Sequence, residues 1–329
     1  MKKNEINVLS LFDGISCAHL ALERAGIKIN KYYSSEIDKS ALAIQNYHYS
    51  GDTNFIQLGD VKKVNGVALS DEIDLVIFGS PCTQLSAVNT KDRSGLEGED
   101  SKLYFEARRI LCEIFVAQPL NKKLYFLMEN VASMSNKNRD IITASLREIF
   151  DDELQLIKID SALVAPAHRR RYYWTNIPNI TQPSPTGIKL QDILENGFVD
   201  RDKGNVILSS NVTLTNGIKR YYQRNIGNII FQDESFALLP MEEKLLAYPF
   251  LLHKSGYKGK SRSATDEYEF GNGCYRLPSV LEYERMMTIP DGYVGNTPNV
   301  SKTEKIKTIG LSFTVDVITH LLKPLNEIL

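Results

Sequence analysis

A thiol and a carboxylate each close an apolar run in this 329-residue chain. Phe78-Gly-Ser-Pro-Cys82 puts a cysteine on a tight turn just past Asp74–Phe78, a run apolar enough for a strand buried on both faces. A thiol in that place faces the crevice at which open parallel sheets bind ligands. Beside a cation or a helix N-terminus a thiol becomes a nucleophile, although a single cysteine is more often a small buried hydrophobe. Met128-Glu-Asn130 ends the next apolar run, Leu124–Met128, so Glu129 is expected beside Cys82 in space. A carboxylate closing so apolar a strand carries a desolvation cost that points to use. Residues 83–100 are polar and contain Gly95 and Gly98, the composition of a loop that covers a site.

A second constellation lies earlier. Phe12-Asp-Gly-Ile-Ser16 stands where a first strand hands over to a first helix. The backbone N–H groups of such a turn, with a glycine for close approach, suit a nucleotide-like ligand. Glu36, followed by Ile37, falls 22 residues after Gly14 at the end of a second strand. A carboxylate there accepts from both ribose hydroxyls. Asp60, followed by Val61, ends the third strand and suits an adenine amino group. Taken singly, each acid is better explained as a helix N-cap. Together they point to an adenosine-bearing cofactor, a nicotinamide dinucleotide or S-adenosyl-L-methionine alike.

The elements that must hold these residues alternate. Strand-like runs at Ile6–Phe12, Lys31–Ser35, Phe55–Leu58, Asp74–Phe78 and Leu124–Met128 are separated by helical patterns. One helix ends at Gly26, one runs from about Asp38 to Tyr47, and one covers Leu103–Val116. This rhythm predicts an α/β fold with a doubly wound, mostly parallel sheet. A barrel would need eight such units, and the rhythm stops near residue 180. Pro178, Pro183 and Pro185 crowd a linker there, and Val315–Leu325 returns as a helix with an apolar face. Two domains are expected, one of residues 1–179 plus 298–329 and a smaller one of residues 180–297.

Charge is segregated. Residues 201–262 hold ten Lys and Arg against five Asp and Glu, inside a chain of net charge −1. A solvated loop and a phosphate-contacting loop fit His253–Arg262 about equally. The net charge excludes a wholesale basic coat protein. There is no run of about 18 apolar residues, so no membrane span is expected. The start Met1-Lys-Lys-Asn-Glu has no apolar secretory core, and a soluble cytoplasmic protein is the expectation. The four cysteines form no C-x-x-C pair, so neither a disulfide framework nor a metal site is expected.

In their order, these motifs resemble those of the DNA (cytosine-5) methyltransferases. The likeness is carried by Phe12-Asp-Gly, Glu36, Asp60, Ser80-Pro-Cys82, Glu129-Asn-Val131 and His168-Arg-Arg-Arg171. Arg276-Leu-Pro through Tyr293 and Gly310-Leu-Ser-Phe313 complete it, and it covers nearly the whole chain apart from 180–270. Leu85–Asn89, Gly95–Gly98 and Ala167–Trp174 make it most similar to the animal de novo group, in a bacterial or phage setting. Ser16 stands where the family usually has a second glycine, Thr83 where glutamine follows the cysteine, His168 for glutamine and Leu311 for a frequent asparagine.

The resemblance implies a class I S-adenosylmethionine-dependent methyltransferase, Rossmann-like, with residues 180–297 as a target-recognition, DNA-binding domain. It implies an enzyme that flips cytosine out of double-stranded DNA, attacks C6 with Cys82 and transfers the methyl of S-adenosyl-L-methionine to C5, leaving S-adenosyl-L-homocysteine. No metal is implied. Glu129 would hold the cytosine N3 and amino group, and Arg171 with Arg169 the base carbonyl or a phosphate. Phe12, Asp13, Gly14, Ile15, Ser16, Glu36, Ile37, Asp60, Val61, Pro81, Ser312 and Phe313 would bind the cofactor. Ser86, Arg93, Lys254, Lys258, Lys260 and Arg276 would bind DNA, keeping the enzyme at the nucleoid. Without the resemblance, a solvated edge strand is the plainer account of Arg169–Arg171 and a domain-interface salt bridge that of Arg276; with it, the functional reading of both is preferred. Two other functions compete: cytosine-5 methylation of transfer RNA, and a catalytically silent DNA-binding homologue. The basic segment favours DNA, and the intact Cys82, Glu129 and Arg171 favour catalysis.

Overall fold

The structure is a computed structural model that describes residues 5–81, 102–207, 221–222, 225–244, 268–270 and 273–328. Its main sheet has seven strands: β1 (Ile6–Leu11), β2 (Ile29–Ser35), β3 (Phe55–Gln57), β4 (Leu75–Gly79), β5 (Tyr125–Val131), β6 (Gln155–Asp160) and β7 (Arg170–Thr175). They lie in the order β3-β2-β1-β4-β5-β7-β6. Every residue of β1 is buried, as a central strand covered on both faces requires. The doubly wound, mostly parallel sheet expected from the sequence is therefore present, with one exception. β7 runs antiparallel to both β5 and β6. Only residues 161–169 join β6 to β7, too few for the helical crossover that a parallel pair needs. β7 is also an interior strand, so the edge-strand account of the arginine run does not hold.

The order reverses between β1 and β4. The chain leaves β1 toward β2 and β3, then returns to the other side of β1 as β4, with Leu11 opposite Phe78. Open α/β sheets bind ligands at the carboxyl ends of strands at such a switch point. The glycine turn follows β1 and the Ser80-Pro81 turn follows β4, so both leave from this place.

Helices complete the layers. α1 (Cys17–Ala25) starts from the glycine turn, and α2 (Lys39–Tyr49) is capped by Asp38, whose carboxylate accepts from the Ser40 and Ala41 amides. α3 (Gly66–Leu69), α4 (Leu103–Ala117) and α5 (Asn136–Phe150) follow. α4 turns Tyr104, Ala107, Ile110, Leu111 and Ile114 inward, the spacing of one helical face. These residues pack with Leu9, Leu11, Val76, Phe78, Phe126 and Met128 in one core cluster.

The chain divides into two compact units. The first comprises residues 1–160, 170–183 and 315–329, and the second 161–169 and 184–314. These bounds differ from the expected domains, since 161–169 and 298–314 group with the second unit and 180–183 with the first. In the first unit α9 (Val315–Leu322), followed by α10 (Leu325–Ile328), packs on α1, with Thr319 Oγ1 donating to the Ala21 carbonyl. The second unit holds α6 (Glu234–Ala237), α7 (Val280–Met286) and α8 (Lys302–Leu311). It also holds an antiparallel sheet of β8 (Ile230–Phe231), β10 (Gly273–Arg276) and β9 (Tyr268–Phe270), in that order. Tyr221, Ile229, Phe231, Phe236 and Tyr275 belong to its own small core. Among the described residues no helix is long and apolar enough to cross a membrane.

Candidate active site

The glycine turn is wound tightly. Phe12, Gly14 and Ser16 all take the left-handed backbone conformation, with φ of 54°, 60° and 63°. Glycine adopts it without cost, but for phenylalanine and serine it is strained and persists only where the surroundings impose it. They do so from below. The buried Asp13 carboxylate accepts from Ser10 Oγ (2.5 Å), Tyr32 OH (2.6 Å), Ser16 Oγ (2.6 Å), Ser34 Oγ (2.8 Å) and Gln45 Nε2 (3.0 Å). Burial raises its pKa, and the four hydroxyl bonds pull it back only in part. The serine that stands for the usual glycine thus supplies one of the bonds that hold its own strained backbone.

Asp13 was expected to touch the cofactor, and here the structure corrects the sequence reading. Its carboxylate points inward and is saturated by five donors, so it shapes the turn from beneath. Ile15 is likewise turned into the core, with no exposed surface. The upper side of the turn is offered by the Gly14 amide, which donates to Glu36 Oε2 at 2.7 Å. Glu36 Oε1 accepts from the Ile37 and Asp38 amides, each at 2.8 Å. A carboxylate has about four lone-pair sites, so Glu36 is held across the turn with acceptor capacity remaining. Ile37 beside it is 67% exposed, an apolar surface set next to a polar one. Asp60 caps the short helical turn Val61–Lys63 through the Lys62 amide at 3.0 Å, which is the N-cap its position suggested.

The second cluster forms at the ends of β4 and β5. Gly79 is the register partner of Glu129, three residues ahead of Cys82. Asn130 Nδ2 donates to Ser80 Oγ at 3.0 Å, fastening the turn that leads through Pro81. Cys82, Ser86 and Arg93 lie outside the described residues. Glu129, buried at 8% exposure, pairs with Arg171 Nε at 2.7 Å. The register explains the contact: Arg171 on β7 lies opposite Val131, and Glu129 opposite Tyr173. Both side chains are nearly buried, at 10% and 12%, where breaking such a pair is costly.

A family model for C-5 cytosine-specific DNA methylases matches residues 6–327. The chain belongs to that family. A DNA (cytosine-5)-methyltransferase of Oryza sativa subsp. japonica is 38% identical over 117 residues, covering 33% of this chain and 19% of its own. An orphan methyltransferase of Bacillus phage rho11s is 28% identical over 234 residues, covering 70% of this chain and 41% of its own. The chain thus spans less than half the length of either relative. A methyltransferase of Entamoeba histolytica superposes over 99% of both chains with a TM-score of 0.69 at 15% identity, a likeness of fold.

In this member of the C-5 cytosine-specific DNA methylase family, Arg169 and Arg276 are engaged elsewhere than the family likeness suggested. Arg169 falls in the second unit and Arg171 in the first, although two positions separate them. The Arg169 guanidinium is buried and donates to the Gly310 and Ser312 carbonyls at 3.1 and 2.8 Å. It therefore braces the Gly310-Leu-Ser-Phe313 turn, while Arg171 alone meets Glu129. Ser312 and Phe313 are buried in that same unit, and the Ser312 hydroxyl donates to the Thr308 carbonyl. Arg276 was expected at DNA. Instead all five of its N–H donors are used: two to Glu282, two to Asn196 and one to the Leu277 carbonyl. Burial pushes the Glu282 carboxyl up, but Arg276 and the Ser279 and Glu195 amides outweigh it and hold the pKa below its ordinary value. The salt bridge is internal to the second unit.

Tyr221 and Tyr222, flanked by basic residues in the sequence, are anchors too. Both hydroxyls donate to Asp200, and Tyr221 is fully buried. Lys254, Lys258 and Lys260 lie outside the described residues. Gln45, which the sequence reading passed over, reaches the glycine turn from α2. Its signal was a polar residue in register with Ala41 and Ile44 on the buried face of that helix.

Proposed function

We propose that the chain is an S-adenosyl-L-methionine-dependent DNA (cytosine-5) methyltransferase. The observation that carries the reading is the buried Glu129–Arg171 pair, on the strand end in register with the turn before Cys82. The glycine turn leaves the neighbouring strand at the same switch point. The cofactor fits that turn: the Glu36 carboxylate stands across the Gly14 amide with capacity for a ribose hydroxyl, and the exposed Ile37 offers an adenine a flat apolar contact. Phe12, Ser16, Val61 and Pro81 border the same strand ends, and Ser312 and Phe313 are assigned with them on the family pattern. When bound, S-adenosyl-L-methionine supplies an electrophilic methyl on a sulfonium.

Cytosine C5 is a weak nucleophile. Addition of the Cys82 thiolate to C6 moves electron density onto C5, dividing one difficult step into two. Glu129 holds N3 and the amino group of the base and supplies a proton as charge develops on the ring. Arg171 fixes the Glu129 carboxylate through Nε, steadies itself by an Nη1 bond to the Arg170 carbonyl at 2.9 Å, and offers its remaining donors to the base carbonyl. The target must leave the duplex to reach these groups. Ser86 and Arg93, which follow Cys82 in the sequence, are assigned on the family pattern to contacts with the DNA.

DNA is favoured over transfer RNA by the basic excess of residues 201–262, which we assign with 180–297 to target recognition. Cys82→Ala should abolish methyl transfer to duplex DNA while S-adenosyl-L-homocysteine still binds. Turnover by the purified variant would end the covalent mechanism. Bisulfite sequencing of DNA from cells expressing the protein, beside the same assay on their transfer RNA, decides the substrate. Neutralising Lys254, Lys258 and Lys260 together should lower the salt slope of DNA binding by up to ~3.

A further inference from the structure

Gly14 is held at both of the peptide groups that flank its Cα by side chains from one stretch of chain. Its N–H donates to Glu36 Oε2 at 2.7 Å, and its carbonyl accepts from Gln45 Nε2 at 2.9 Å. Glu36 stands just ahead of α2 and Gln45 two turns inside it. Gln45 has no exposed surface. Its amide nitrogen also lies 3.0 Å from Asp13 Oδ2 and 3.0 Å from Ser34 Oγ, so two N–H groups serve three acceptors. Its carbonyl accepts from Gln57 Nε2 at 3.0 Å. One side chain therefore ties the turn after β1 to the ends of β2 and β3.

We infer that Gln45 is a positioning residue for cofactor binding, acting through Gly14 on Glu36. The inference rests on the reading of the glycine turn as the S-adenosyl-L-methionine site. The turn carries two strained non-glycine residues, so its shape depends on what surrounds it. Asp13 fixes it from below with one carboxylate, and among the described residues Gln45 holds the carbonyl of the residue whose amide orients Glu36. Releasing that carbonyl frees the peptide group after Gly14, and the soft torsions about the glycine Cα then no longer hold the preceding N–H on the Glu36 carboxylate that it sets across the turn. An amide suits the task because it donates to the carbonyl and the carboxylate together while accepting from Gln57. A carboxylate in its place would face Asp13 as a like charge.

The test is calorimetric binding of S-adenosyl-L-homocysteine to wild type and Gln45→Met, which keeps the length and drops the donors. Affinity should fall about tenfold, the equivalent of one to two net hydrogen bonds. In turnover, the cofactor KM should rise in step while kcat at saturating cofactor and the DNA KM hold. A purely structural role would lower the folded fraction and kcat and leave the cofactor KM unchanged. In a Glu36→Ala background the same substitution should cost almost nothing further, because the two act in series. Unchanged affinity in folded Gln45→Met, or full additivity with Glu36→Ala, overturns the inference. Should Gln45→Met fail to fold, Gln57→Leu removes only the outer bond; a rise of about twofold in Kd is expected, and none overturns it. Wild type that binds no S-adenosyl-L-homocysteine would instead overturn the cofactor reading itself.

Discussion

Asp13 and Asp200 are each buried and each receive tyrosine hydroxyls, yet burial prevails at one and is outweighed at the other. The donors to Asp13 are three serines, a tyrosine and an amide, all uncharged. Its pKa is raised, because neutral dipoles do not replace the water lost on burial. Asp200, in the second unit, also loses its water. It regains more from Tyr221 and Tyr222, and from Lys244 Nζ at 3.2 Å and Arg201 Nε at 3.4 Å, so its pKa is lowered. The difference matches what each must hold. Many short, directional neutral bonds fix the angles of a strained turn. At Asp200 the neighbouring Arg201 adds charge, while Lys244 fastens a stretch 44 residues away and donates to the Ala237 carbonyl as well.

The largest effect expected from breaking this contrast is that of Asp13→Ala. It strands five buried donors and should cost about 3–5 kcal/mol in urea unfolding. A loss below about 1 kcal/mol would mean that water reaches the knot. Asp200→Asn should cost less, about 2–3 kcal/mol. It keeps an acceptor for a tyrosine but leaves the buried Lys244, 4% exposed, without its countercharge.

Acid sharpens the comparison, because the two residues respond with opposite sign. A lowered native pKa gives stability that is present above the ordinary aspartate value of 3.8 and is lost as pH falls through the native one. A raised pKa does the reverse: ionising Asp13 costs stability as pH climbs from 3.8 toward its native value. Urea midpoints from about pH 3 to 6 should therefore show a flatter acid limb for Asp200→Asn, and a flatter decline above it for Asp13→Asn. Parallel curves for the two variants would erase the distinction. The smallest effect is expected at Ser16. Ser16→Ala keeps the strained backbone and drops the bond to Asp13, costing about 1 kcal/mol. Ser16→Gly also drops the bond but relieves the left-handed strain of about 1 kcal/mol, so its midpoint should barely move.

Much of the site was legible because its residues stand at strand ends, and strand ends are marked by local signals. An apolar run followed by Gly or Pro announced the turns at Gly14 and Ser80, and Asp60 behaved as the cap that its position allowed. Arg169 and Arg171 were not separable in this way. Both sit in one basic run, and only the path of the chain sends the first to the Gly310 and Ser312 carbonyls and the second to Glu129. Arg276 reads in the sequence as a DNA contact, but Glu282, Asn196 and the Leu277 carbonyl use all five of its donors.

By itself the sequence determined the alternation of strands and helices, hence the doubly wound sheet and the switch point, because apolar periodicity and turn chemistry act over a few residues. It also determined which turns carry the cysteine, the glycine and their carboxylates. The tertiary structure decided the direction and interior position of β7, the inward aim of Asp13 and the grip of Gln45 on Gly14. Those depend on partners brought together from separate elements, as Gly14 with Glu36, 22 residues apart, and Arg169 with Ser312, 143 apart, show. A side chain's partner is chosen by the geometry of packed strands, and no local pattern records it.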